Sequence, residues 1–302
     1  MPADREIEDL KALARDRRAV ILSHYYCPPE VQAAADFVGD SLGLSQTAAT
    51  TEAEAIVFAG VHFMAETASI LCPDKKVILV NPEAGCPMAD MITAPELMAR
   101  KAELPGVAVL TYVNSPAEVK ALSDLCCTSA NVVAALRSLE AGVVLMTPDQ
   151  NLAAFAQKQV PEKRVIYWDG LCPTHHRLRA ETVRQLKAAH PGAPVLAHPE
   201  CRPDVLELAD FIGSTSAIIR AARFNPAREF VILTEIGVSR RLGLDNPGKV
   251  FHFPEGLVCP NMKKNTPADL RRALETLEPE VRVSPDIRRR SLTAIEKMLQ
   301  LA

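Results

Sequence analysis

Short apolar runs that end in polar side chains recur along the chain. Three of them, residues 20–26, 107–114 and 195–200, begin 87 and 88 residues apart. Aligned on His24, Tyr112 and His198, the copies carry Tyr26, Asn114 and Glu200 two places on. They then share aspartate at Asp36, Asp124 and Asp210, and a hydroxyl at Ser41, Ser129 and Thr215. Asp36-Phe37-Val38-Gly39-Asp40-Ser41 and Asp210-Phe211-Ile212-Gly213-Ser214-Thr215 are nearly one hexapeptide. A register held ungapped three times is an internal repeat.

Each copy alternates strand and helix patterns. A β-branched run leads into helix-compatible sequence (29–35, 116–123, 203–209), and a second short strand ends just before the hydroxyl. Another helix-like stretch follows, then a third strand (55–59, 142–146, 229–233), a further helix and a fourth strand (77–80, 165–168, 250–253). This alternation predicts an α/β chain of three pseudo-symmetric, three-layer αβα modules with parallel sheets around a central cleft. Right-handed crossovers put every strand's C-terminal end on one edge, where open α/β sheets bind ligands. The expected modules are 1–104, 105–190 and 191–274, with 275–302 packing back on the first. Ile7, Leu10, Leu13 and Ala14 form an apolar helical face near the start. Ser284-Pro285 opens a last helix whose stripe, Ile287, Ile295, Met298 and Leu299, reads as packing.

Composition narrows the class. The 302 residues are 48% hydrophobic and 5% aromatic, with a net charge of -3, so neither nucleic acid nor an acidic membrane is an expected partner. Charged, helix-patterned sequence follows Met1, and no apolar run reaches the roughly 18 residues of a membrane span. A cytoplasmic protein with reduced thiols is the expectation.

The candidate chemistry starts from cysteine. Each fourth strand is followed by Cys-Pro, at Cys86, Cys172 and Cys259, which stand 62, 60 and 61 places after the alignment point. Cys27, Cys72, Cys126, Cys127 and Cys201 do not recur in all copies and read as buried apolar residues. Three thiolates without a local pair are unusual for zinc, which normally takes four ligands. Holding a [4Fe–4S] cluster, they would leave one iron open as a Lewis acid. The hydroxyls sit where helix N-caps are expected, beside backbone N–H groups that suit carboxylates or phosphates. Walker and dinucleotide motifs are absent.

His24 with Tyr26, Tyr112 with Asn114 and His198 with Glu200 are expected to share one side of each strand by its period of two. Glu200 beside His198 and a phenol suits acid–base work. Asp36, Asp124 and Asp210 read as turn or capping residues. His175, His176, Thr234 and Glu235 are further candidates for lining the site. Lys263 would neutralise a cluster or a substrate anion, or simply be solvated. A zinc-stabilised structural or ligand-binding protein with His175 as fourth ligand remains an alternative, as does another cluster-dependent hydro-lyase.

His24-Tyr25-Tyr26, Gly39-Asp40-Ser41, Cys86-Pro87-Met88-Ala89-Asp90, Tyr112-Val113-Asn114-Ser115, Cys127-Thr128-Ser129-Ala130-Asn131, His198-Pro199-Glu200-Cys201 and Cys259-Pro260-Asn261-Met262-Lys263 are similar to the motifs of the quinolinate synthase family of NAD biosynthesis. The similarity spans nearly the whole chain. It implies one [4Fe–4S] cluster on Cys86, Cys172 and Cys259, and condensation of iminoaspartate with dihydroxyacetone phosphate, with loss of phosphate and two waters. It further implies that His24, Ser41, Ser129, His198 and Thr215 anchor carboxylates and phosphate, while Tyr26 and Glu200 move protons. Tyr112 and Asn114 would contact the condensing intermediate, and Met64 an apolar wall. An aspartate-oxidising or aspartate-dehydrogenating enzyme would be the transient partner that supplies the imine. Pro173-Thr174-His175 departs from the family's usual valine before the histidine, and no cysteine pair follows Cys259.

Overall fold

The apolar runs become parallel strands in the computed structural model, which describes residues 2–301. The first module holds α1 (Pro2–Asp16), β1 (Ala19–His24), α2 (Pro29–Ala34), β2 (Phe37–Gly39) and α3 (Ser41–Thr50). It continues with β3 (Ala55–Ala59), α4 (His62–Leu71), β4 (Lys76–Leu79) and α5 (Ala94–Glu103). The second repeats the order: β5 (Ala108–Tyr112), α6 (Ala117–Lys120), β6 (Leu125–Cys127), α7 (Val132–Ser138) and β7 (Val143–Thr147). Then come α8 (Gln150–Gln159), β8 (Arg164–Tyr167), α9 (Pro173–His176) and α10 (Ala180–Ala189). The third has β9 (Val195–Ala197), α11 (Pro203–Leu206), β10 (Phe211–Ile212), α12 (Thr215–Phe224), β11 (Glu229–Leu233), α13 (Ser239–Asp245) and β12 (Val250–His252). Helices α14 (Pro267–Thr276) and α15 (Pro285–Gln300) close the chain.

The three sheets have the same strand order, β2-β1-β3-β4, β6-β5-β7-β8 and β10-β9-β11-β12, and every pairing within them is parallel. The central strands are covered on both faces, as parallel sheets require. All five residues of β3 are buried. One apolar core runs through the first two modules, while the third has a separate cluster on each face of its sheet. Leu10, Ala14, Ile295 and Met298 are buried in the shared core, with Ile7, Leu13, Ile287 and Leu299 partly buried against it.

The end of the chain ties modules together. Helix α14 packs on α1, α2 and β3, and Val281 N–H donates to Val77 O at 2.8 Å beside β4. Helix α15 packs against α4 of the first module and against α6 and β6 of the second, where Asn131 Nδ2 donates to Met298 O at 2.9 Å. Pro285 occupies its first turn, but Ser284 makes no side-chain cap bond.

The recurring aspartates set the register of each edge strand. Asp36 Oδ2 accepts Ile21 N–H at 2.8 Å, and Asp36 N–H donates to Ile21 O at 2.9 Å. Asp124 makes the same two bonds to Val109, and Asp210 makes them to Val195. One short side chain thus fixes the return from helix to edge strand in every module. Asp36→Ala, Asp124→Ala and Asp210→Ala should each lower unfolding stability by about 1 kcal/mol. Denaturant titration checks this; no change in any of the three would show that the paired bonds do not hold the register.

Candidate functional site

The strand C-terminal ends of all three modules surround one cleft of about 910 Å³. His24, Tyr26, Ser41, Tyr112, Asn114, Ser129, His198, Glu200 and Thr215 line it together with Cys86, Cys172 and Cys259. Met64 does not. It is buried in α4, and the apolar wall there comes from Val61 and Phe63. The cysteines divide as the repeat suggested. The five non-recurring thiols are fully buried, whereas the three recurring ones border the cleft.

A backbone strap positions each recurring cysteine. His62 N–H donates to Ala84 O at 2.9 Å, Gln150 N–H to Gly170 O at 2.8 Å and Ile236 N–H to Leu257 O at 3.0 Å. In every module the accepting carbonyl lies two residues before the cysteine. The approach is close: a Cβ on Gly170 would stand 2.5 Å from Pro148 O, so no side chain fits there. After each cysteine, proline starts a tight turn whose N–H groups face the sulfur. They come from Met88 and Ala89 for Cys86, from His175 for Cys172, and from Asn261 and Met262 for Cys259.

Burial works against ionisation. It pushes the Cys86 thiol up to about 12, Cys172 well above the ordinary range, and Cys259 upward. The turn N–H groups oppose this only in part. Such a set becomes thiolate when a metal supplies the compensating positive charge.

Two of the three cleft histidines, His24 and His198, have a defined tautomer by hydrogen-bond pattern. Tyr26 N–H donates to His24 Nδ1 at 3.1 Å, and Glu200 N–H to His198 Nδ1 at 3.3 Å. Nδ1 is therefore the acceptor, and Nε2 carries the proton. His198 Nε2 lies 3.2 Å from Ser129 Oγ. Burial lowers His24 to about 4 and His198 to about 3, so both rings are neutral donors at physiological pH. These backbone bonds also correct the expected strand geometry. Tyr26, Asn114 and Glu200 lie beyond the strand ends, and for the two histidines a turn, closed by Cys27 N–H to His24 O and Cys201 N–H to His198 O, sets the pair geometry in place of the strand's period of two.

Glu200 is the hub of the polar network. Tyr112 O–H donates to its Oε1 at 2.7 Å, and His175 Nδ1 stands 2.7 Å from Oε2. Burial opposes its charge, but His198, His175 and these hydrogen bonds outweigh it and hold the carboxyl below its usual range. His175 Nε2 reaches Thr234 Oγ1 at 3.0 Å, and Tyr26 O–H contacts Thr234 Oγ1 at 2.7 Å and Thr215 Oγ1 at 2.8 Å. Glu200 and Tyr26 are thus joined through His175 and Thr234. Burial, then Glu200's charge, raises both Tyr26 and Tyr112 well above their usual values, leaving protonated phenols. Asn114 Oδ1 is buried without a hydrogen-bond partner on a residue that lines the cleft, which suits a bound ligand's donor.

Cys172, His175 and Glu200 form a candidate metal group, with ligand atoms all within 4.8 Å of one another. His190, Glu229 and His252 form a second such group on the third module, away from the cleft lining.

The hydroxyls are not the caps expected. Asp40 caps α3 by accepting Gly43 N–H at 3.1 Å, and Ser214 caps α12 by accepting Ala217 N–H at 3.3 Å. Ser41 and Thr215 are the first residues of those helices and border the cleft, while Ser129 lies two residues before Asn131, which precedes α7. Lys263 is partly exposed and already engaged within the protein. It pairs with buried Glu235 at 2.7 Å and donates to Tyr26 O at 2.5 Å.

A cysteine-bearing, polar cleft at the shared strand ends of three parallel sheets defines an α/β protein with a buried candidate metal and ligand site. The sequence model described as Quinolinate synthetase A protein matches residues 6–300. Proteins named quinolinate synthase are close relatives. That of Geobacter metallireducens is 50% identical over 302 residues, covering 100% of this chain and 99% of its own. That of Alkaliphilus metalliredigens is 49% identical over 296 residues (98% of each chain), and that of Thermodesulfovibrio yellowstonii 47% over 299 (99% of each). The chain belongs to the quinolinate synthetase A family.

The neutral histidines generate a pH prediction. Unfolded histidine titrates near 6.5, so between about pH 6.5 and 4 the unfolded chain binds more protons than the folded one. The stability contributed by neutral His24 and His198 is fully present above pH 6.5 and is lost as pH falls through this window. Nitrogen NMR of ¹⁵N-histidine should show both rings as neutral Nε2–H tautomers at pH 6. An imidazolium signal from either ring would contradict the burial argument.

Proposed function

We propose that the protein is a quinolinate synthase, condensing iminoaspartate with dihydroxyacetone phosphate and releasing phosphate and two waters. The observation that carries this reading is the meeting of Cys86, Cys172 and Cys259, one from each module, on the cleft that also holds Glu200, Tyr26 and the two histidine donors. Family membership and relatives of equal length support it.

The donor set fits a [4Fe–4S] cluster. Among the described residues the three thiols do not form a group with all ligand atoms within 4.8 Å. A single zinc bonded to all three at about 2.3 Å would need them within about 4.6 Å of each other. When bound, such a cluster supplies an iron with an open coordination place, acting as a Lewis acid. A second reading, one metal ion on Cys172, His175 and Glu200, is favoured by the closeness of those three groups.

The chain's own residues do the remaining work. The Nε2–H groups of His24 and His198 donate to carboxylate or phosphate oxygens without adding charge. Ser41, Ser129 and Thr215 add hydroxyl donors to the same anions. Ionised Glu200 accepts a proton from carbon or nitrogen. Tyr26 returns one, with Thr234 and His175 carrying protons between them. Tyr112 orients Glu200, Asn114 Oδ1 accepts from the substrate nitrogen or hydroxyl, and Phe63 and Val61 exclude water. Eight unpaired cysteines suit a reducing cytoplasm. An aspartate-oxidising or aspartate-dehydrogenating enzyme would hand over the imine.

Anaerobic assay with the two substrates should yield a pyridine dicarboxylate. Glu200→Gln should keep its iron and lose at least about 100-fold in turnover. Cys86→Ala should lose iron, whereas Cys27→Ala, in the core, should retain it. Absence of product from iron-replete protein would reject the synthase, and equal iron in the two cysteine variants would reject the ligand set.

A further inference from the structure

The backbone strap is threefold, but a second restraint on the cysteine loops is not. Asp149 Oδ2 accepts Cys172 N–H at 2.9 Å, and Asp149 Oδ1 accepts Leu152 N–H at 2.7 Å. Glu235 Oε1 accepts Cys259 N–H at 3.0 Å, and Glu235 Oε2 accepts Gly237 N–H at 2.6 Å. The two carboxylates stand at the same repeat position, thirty-seven residues past Tyr112 and His198, and both are fully buried. Each spends one oxygen on the cysteine's own N–H and the other on the turn that follows its strand. The equivalent first-module residue is Val61, which makes no side-chain cap bond. Among the described residues, only Cys172 and Cys259 are cysteines held at their own backbone nitrogen by a carboxylate.

We infer that Asp149 and Glu235 are positioning residues for the metal centre, locking the Cys172 and Cys259 loops in the conformation that aims their sulfurs into the cleft, while the Cys86 loop has no such carboxylate and is held by its backbone strap and by Asn81 and Lys264. The physical case is the two-oxygen bridge. Each of the two oxygens accepts one backbone N–H, so the carboxyl couples the cysteine loop to the helix start, and partners behind metal ligands typically govern metal retention. Asparagine or glutamine offers only one oxygen, and its NH2 group would face an N–H donor, so the neutral analogue must break one arm of each bridge. Lys263 balances Glu235 at 2.7 Å, and no comparable cation contacts Asp149 among the described residues. The Cys172 side should therefore be the more sensitive to substitution.

This inference rests on the three-cysteine cluster reading. The test measures iron release from anaerobically purified protein to a ferrous chelator, alongside the unfolding midpoint of each metal-free form. Asp149→Asn and Glu235→Gln should release iron about 10-fold or more faster than wild type. Their metal-free midpoints should fall no further than that of Asp36→Ala, which also loses a paired backbone bond but away from the site, and Asp149→Glu, which keeps a carboxylate as in the third module, should retain iron much better than Asp149→Asn. Unchanged release rates in both variants would overturn the positioning role. Faster release that merely tracks a lowered metal-free midpoint would overturn it too, because a general loss of packing then explains the effect. Wild-type protein that holds no iron would sink the cluster reading itself, an outcome distinct from either of these.

Discussion

A helix's first N–H reaching back to the carbonyl two residues before a cysteine is the contact on which the site's geometry depends. It occurs once per module, at His62, Gln150 and Ile236, and joins the end of the third strand to the loop after the fourth. Because both partners are backbone, the restraint survives wide divergence among the repeats' side chains. The aspartates at the edge strands act one layer back, fixing the register of the strand that carries His24, Tyr112 or His198. Strand ends, helix starts and cysteine loops thus arrive at the cleft in fixed relation.

Within this frame the cleft separates two kinds of polar group. His24 and His198 are neutral because burial lowers their pKa, and their tautomer follows from a backbone N–H two residues on. Glu200 instead keeps its charge because neighbouring His198 and His175, with the hydrogen bonds from His175 and Tyr112, outweigh burial. Glu200 can take a proton while the neutral histidines and the hydroxyls hold anions, with Asp40 and Arg177 also on the cleft lining. Uniformly charged histidines would bind anions more strongly but would pair with Glu200 and blunt it as a base.

Much of this was legible in the sequence because the repeat is written in residue types that cannot be exchanged cheaply. Aspartate is used three times for one two-bond turn, and Cys-Pro three times for one loop. The four-strand order and the gathering of the twelve cleft residues follow from that periodicity. The misses have local causes. Tyr26, Asn114 and Glu200 lie past the strand ends, where turns replace the period of two. Asp40 and Ser214 take the cap positions, which leaves Ser41 and Thr215 one residue on with their hydroxyls available to the cleft. The family resemblance alone places Met64 on the apolar wall, whereas it is buried in α4 and Phe63 lines the cleft. The sequence pattern misses Asp149, and marks Glu235 as a site-lining residue and not as a partner of Cys259, because the repeat uses aspartate once, glutamate once and valine once at that position.

The central claim is that three modules bring three thiols to a single iron–sulfur centre. Iron and acid-labile sulfide, counted together on anaerobically isolated protein, test it most directly. The account predicts about four of each per chain. One tightly held zinc with no sulfide would contradict it.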